Sequence, residues 1–179
     1  MVLALGIALY LAAGVYLFGR RRAGFIHRQH TISELGERGA ADGRLVSLGL
    51  FFPVGVAMAI IWLQHRQSAP EAAALAGVIA IGYLGGAVFP CDPGSPSQGS
   101  TSQALHNLAG GAEYLGGVAC LLALGRHEPA FFAVAAVVAA AIPLISLPVG
   151  IRIRGAAQRA AEVCLFGGLV FALASQRVA

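Results

Sequence analysis

AAALAGVIAIGYLGGAVF, residues 72–89, carries no charge, and it runs directly into PCDPGSPSQGSTSQ, residues 90–103. A helix rises about 1.5 Å per residue, so the first stretch covers about 27 Å, close to the ~30 Å hydrocarbon core of a bilayer. The second stretch is built of Pro, Gly and Ser and cannot prolong it; it reads as turns at or above a membrane surface. Working outward, the runs Val2 to Phe18, Leu45 to Leu63, Ala104 to Leu124, Ala130 to Val149 and Ala161 to Ala174 repeat the pattern. The fold expected is all-α: one polytopic bundle of six transmembrane helices over residues 1–179.

Composition supports the same solvent. Hydrophobic residues make up 58% and charged residues 11%, with mean hydropathy +0.76, which leaves too few charges to coat a soluble domain. The first run is followed by Arg20, Arg21 and Arg22, not preceded by positive charge as in a cleaved signal peptide, and is read as a retained helix. Cys91, Cys120 and Cys164 make no disulfide framework. Every basic side chain besides the histidines is Arg, and the net charge of +4 is too dispersed for nucleic acid. The guanidinium fork pairs bidentately with phosphate, so anionic lipid headgroups are the expected partners.

With six helices, the loops at 19–44, 90–103 and 150–160 share one side. That side carries Arg20, Arg21, Arg22, Arg28, Arg38, Arg44, Arg152, Arg154 and Arg159, against Arg66, Arg126 and Arg177 on the other. The positive-inside rule makes the Arg-rich side cytoplasmic and both termini external, in the inner membrane of a cell. Pro53, Pro143 and Pro148 are expected to kink their helices without breaking them. Gly82 with Gly86, and Gly110, Gly111, Gly116 and Gly117, predict close backbone contacts.

Polar residues gather on the Arg-rich side. His106 and Glu113, seven positions apart, share a helical face with Gly110, Gly117 and Cys120. An ionisable group inside a membrane helix costs several kcal/mol unless paired or neutralised, so Glu113 is expected to face the bundle, as a ligand, proton or ion site or as a tie between helices. Asp92 is expected to approach His106. Ser33, Asp92 and His106 form one candidate catalytic set, of nucleophile, orienting acid and base; Glu34, Asp92 and His106 form a candidate divalent-metal set. In a third alternative Ser33 caps the segment leading into the second helix and Asp92 staples its loop against the histidine. None has a diagnostic spacing, and neither a resident metal nor a cofactor is expected; only His106 lies near a helix interior, too few for bis-His haem. Arg159 is read either as an interfacial anchor or, turned inward, as a partner for Asp92, Glu34 or a bound phosphate.

TISELG at 31–36, FPCDPG at 89–94, LHNLAG around His106 and GAAQR at 155–159 together resemble the uncharacterised prokaryotic membrane family catalogued as domain of unknown function nine-nine-eight. The resemblance covers nearly the whole chain. It implies six helices, both termini cytoplasmic, and Ser33, Glu34, Asp92, His106 and Arg159 as the characteristic polar positions. TISELG is also distantly similar to a segment of the damage-regulated autophagy modulators, a group associated with lipid remodelling, lipid asymmetry or autophagy.

The expectation is therefore a bundle whose polar rim, with Glu34, Asp92, His106, Glu113 and Arg159 as binding residues, receives a lipid headgroup or other amphiphile. Chemistry there would be hydrolysis or transfer at the headgroup. The alternative is an accessory subunit packing against other membrane proteins through its Gly and Ala faces. A transporter needs polar groups along the full membrane depth, which Glu113 alone does not supply.

Overall fold

The computed structural model describes residues 1–147 and 150–175. Pro148 and Arg177, and the expected end of the fifth span at Val149, lie outside them. Six helices make up the bundle: α1 Val2–Arg21, α2 Gly43–His65, α3 Pro70–Val88, α4 Thr101–Leu124, α5 Ala130–Ser146 and α6 Arg154–Ser175. All but α5 are long and apolar enough to cross a bilayer; α5 is a shorter apolar helix of 17 residues. The chain is an all-α, multi-pass membrane protein. Where the apolar run predicts the last helix from Ala161, α6 begins at Arg154. Hydropathy marks what lies in hydrocarbon, whereas a helix continues through the wet rim wherever its backbone stays hydrogen bonded.

α3 is the pivot, packed against α2, α4 and α6. Its glycines allow this. A methyl group at Gly82 or Gly85 would overlap Glu113 or Ala109 of α4, and one at Gly116 would come within 2.7 Å of Val78. Gly117 meets Leu165 of α6, while Gly110 and Gly111 have open space before them. The core is filled by fully buried Leu50, Met58, Ile61, Leu75, Ile79, Leu121, Leu165 and Leu169. Cores of this kind pack to crystal-like density, so one lost methylene is felt.

Proline acts locally. Pro53 has no N–H to give the Gly49 carbonyl four residues back, and a one-turn π-bulge, Ser47–Phe51, precedes it in α2. The Tyr10 hydroxyl of α1 donates to that Gly49 carbonyl instead. Pro143 lies inside α5, three residues before its end, and the helix continues through it.

Candidate functional site

The four motif segments converge at one end of the bundle. Thr31 and Glu34 exchange the bonds of a capping box around the short 3₁₀ turn Ser33–Gly36: Thr31 N–H donates to Glu34 Oε1 at 2.7 Å, and Glu34 N–H to Thr31 Oγ1 at 3.3 Å. Arg154, at the start of α6, reaches the same Oε1 at 2.7 Å and the Gly94 carbonyl at 2.7 Å, tying the 31–36 and 89–94 segments to α6. Arg22 pairs with Glu37, whose other oxygen accepts from Gly94 N–H at 2.8 Å. Four of the nine rim arginines thus pair with acids of the rim, Arg21 with Asp42 and Arg38 with Asp92 included.

Asp92 organises the entry to α4. Its Oδ2 accepts from Ser100 N–H at 2.7 Å and its Oδ1 from the Ser100 hydroxyl at 2.8 Å and from Arg38 at 3.1 Å. The Ser100 amide, foremost, with the hydroxyl and Arg38, holds the carboxyl below its ordinary range. His106, a turn into α4, bonds through Nδ1 to the Phe89 carbonyl at 2.9 Å. Since a carbonyl only accepts, Nδ1 carries the hydrogen, and the neutral imidazole presents a free lone pair on Nε2.

Deeper in the bundle lies a small chamber of about 50 Å³. Ser33, Tyr83, His106, Glu113, Tyr114, Gln158 and Glu162 supply its polar wall, and no Lys or Arg lines it. Glu162 accepts from Tyr114 at 2.7 Å and from Tyr83 at 2.9 Å. Gln158 donates to the Tyr114 hydroxyl at 3.0 Å, and its carbonyl oxygen accepts from Ile32 N–H at 2.6 Å, so the relay runs from the TISELG backbone to a carboxylate inside the membrane. Glu113, only 5% exposed, faces the same chamber from α4, and its Oε1 has no partner among the described residues.

Beside the chamber a groove of about 530 Å³ separates α1 from α6. Ala8, Leu11, Val15, Val163, Phe166 and Gly167 make its apolar wall, while His27 and Arg159 stand at its rim end and Glu162 and Ile32 belong to both cavities. Arg159 points inward and donates through Nη1 to the carbonyls of His27 at 2.6 Å, His30 at 3.0 Å and Gly155 at 2.8 Å. Its Nη2 bonds His27 Nδ1 at 3.1 Å. Partial burial, then the adjacent guanidinium, lowers the His27 pKa.

Several expectations are corrected by this geometry. Asp92 and His106 share the rim but make no bond with each other: Ser100 and Arg38 claim the aspartate, the Phe89 carbonyl the histidine. No Ser33–His106–Asp92 triad is therefore assembled, although Ser33 and His106 line one chamber. Ser33 makes no capping bond; Thr31 takes that role, and the Ser33 hydroxyl meets only Gln158, at 3.5 Å. Glu34, Asp92 and His106 do not converge as metal ligands, and no group of three His, Cys, Asp or Glu does so among the described residues. Arg159 turns inward, toward loop carbonyls and not toward Asp92. Glu34 takes Arg154 instead. Cys91, which bonds the Ser33 carbonyl at 3.4 Å, is buried, and burial pushes its thiol up to about 12.

Glu162, Tyr83, Tyr114 and Gln158 escape the sequence reading. Glu162 alone had a signal, being a second ionisable residue inside an apolar run. The tyrosines look like ordinary membrane-helix aromatics until their hydroxyls are placed.

No curated protein and no solved structure matches this chain. The family model described as protein of unknown function (DUF998) matches residues 4–176. That span takes in all four motif segments and every residue of the chamber and groove, and the chain belongs to this family.

Proposed function

We propose that this protein is an inner-membrane lipid-binding protein that holds one phospholipid or similar amphiphile in the groove between α1 and α6. The observation that carries the reading is the pairing of an apolar trough with a guanidinium at its rim end. The walls from Ala8 to Val15 and from Val163 to Gly167 suit an acyl chain. Arg159 keeps an Nε–H and one Nη2 hydrogen with no acceptor among the described residues, and no carboxylate lies within ion-pair distance, so a lipid phosphate would complete its shell. Processing of the headgroup would fall to His106, which lines the chamber with Ser33, as base toward a nucleophile.

The test is lipid retention by the full chain purified in detergent, with phosphatidylglycerol as probe and native mass spectrometry as readout. Arg159→Gln should weaken phosphatidylglycerol binding about tenfold, the loss of one charge-assisted contact. Gly167→Leu, which fills the trough, should weaken it independently. Unchanged affinity in both variants would refute the reading.

A second reading, an accessory subunit, draws on Gly111, which stands on α4 with nothing within 4 Å of where a Cβ would lie. It requires a partner purifying in fixed stoichiometry and lost on Gly111→Leu, with lipid affinity unaffected.

A further inference from the structure

Two carboxyl groups facing one chamber inside a membrane bundle, with no Lys or Arg among the described residues that line it, call for an occupant. Glu162 is held by two tyrosine hydroxyls, but Glu113, 95% buried by its 5% exposure, aims an unpartnered oxygen into the chamber. Leaving such an atom unbonded forfeits the hydrogen bonds it would make in water, so buried polar atoms almost always have a partner. The wall is dominated by acceptors and exchangeable hydroxyls, namely the carboxyl groups of Glu113 and Glu162, the phenols of Tyr83 and Tyr114, the Ser33 hydroxyl and the His106 ring, while the Gln158 amide already donates to the Ser33 and Tyr114 hydroxyls. That inventory wants a donor-rich cation. About 50 Å³ is room enough for an ammonium-sized group.

The chamber is not isolated. Glu162 and Ile32 line both it and the apolar groove, so the two cavities adjoin across one shared wall. Arg159 and Glu162 are three residues apart on α6, and both line the groove. Neighbours at this spacing stand about 5–6 Å apart at Cβ, the scale of an ethanolamine phosphate, whose amine is two carbons from its phosphate oxygen.

We propose that the Glu113 and Glu162 chamber is a primary-ammonium site, and that the amphiphile of the α1–α6 groove is an aminophospholipid of the phosphatidylethanolamine class, phosphate on Arg159 and amine between the two glutamates. This rests on the lipid-binding reading and gives it a substrate class. A primary ammonium offers three N–H donors to the Glu113 oxygen, Glu162 and His106 Nε2. A trimethylammonium offers none. The site should therefore separate two lipids that differ only in N-methylation.

The experiment titrates the full chain in detergent with phosphatidylethanolamine, phosphatidylcholine and phosphatidylglycerol of identical acyl chains, read by native mass spectrometry. The wild type should prefer phosphatidylethanolamine over phosphatidylcholine by about tenfold, since a site built to hydrogen bond a donor rejects the analogue lacking it. Glu113→Gln should bring that ratio within about twofold while leaving phosphatidylglycerol affinity unchanged; Glu162→Gln is the second variant should the first fail to elute as a single species. Soluble ethanolamine in tenfold excess should not displace phosphatidylethanolamine. Displacement would assign the chamber to a free amine and overturn the lipid assignment. Equal affinity for the two lipids in the wild type, or a preference that survives both glutamine variants, would overturn the ammonium site while the groove reading stands, provided Arg159→Gln still weakens every lipid. Binding of none of the three would remove the groove reading, and this inference with it.

Discussion

At His27 one proton separates two states of the rim. Its Nδ1 accepts from Arg159, so the folded chain holds the imidazole neutral, and its pKa lies below the ordinary 6.5. The unfolded chain protonates at the ordinary value and so binds more protons between that value and the folded one. The stability contributed is complete above about pH 6.5 and is lost as pH falls through the folded value. Thermal unfolding followed from pH 7.5 to 5 should show a steeper loss of Tm in the wild type than in His27→Gln. Parallel curves would show that the contact carries no linkage. Glu113 makes a different point at the same scale. Helical periodicity places it facing the bundle, yet its lack of a partner follows from what α3 and α6 bring opposite it, and no spacing within α4 records that.

Among the elements, the first two turns of α6 matter most. Loop 22–42 lies against them: Ala156 N–H donates to the Arg28 carbonyl at 2.9 Å, and Arg159 gathers the carbonyls of His27 and His30. Gly155 is what lets the loop approach. A methyl group there would overlap the carbonyl oxygens of both histidines, which are backbone atoms and cannot rotate away. Gly155→Ala should cost about 1–3 kcal/mol as overpacking, seen as a lower Tm and faster proteolysis within residues 22–31. Gly167→Ala, on the open face of the same helix, is the control and should be near neutral. The GAAQR segment reads as a short polar stretch in sequence. Folded, its Gly admits a loop, its Gln reaches a chamber and its Arg caps three carbonyls.

For the molecule as a whole, Arg distribution predicts orientation. The family resemblance implies cytoplasmic termini with the motif loops outside; the positive-inside rule, with nine arginines on the motif side against Arg66, Arg126 and Arg177 on the other, predicts a cytoplasmic motif side. Alkaline phosphatase fused at His65 should then be active and at Ser95 inactive. The reverse result would mean that Arg21, Arg22, Arg38 and Arg154 stay on an external face for their ion pairs and not for topology. Composition and the spacing of apolar runs were enough to specify solvent, helix count and the side on which polar loops meet, because a backbone in hydrocarbon must satisfy its own hydrogen bonds and has few ways to do so. They also singled out Arg159, Glu113 and His106 as residues of interest. Pairing is another matter: Glu34 with Arg154, Gln158 with Ile32 and Glu162 with Tyr83 and Tyr114 join residues 48 to 126 positions apart. Which of several carboxylates a given Arg or Tyr meets depends on helix rotation and depth, set by glycine contacts such as Gly82 on Glu113, and so it emerged with the packed bundle alone.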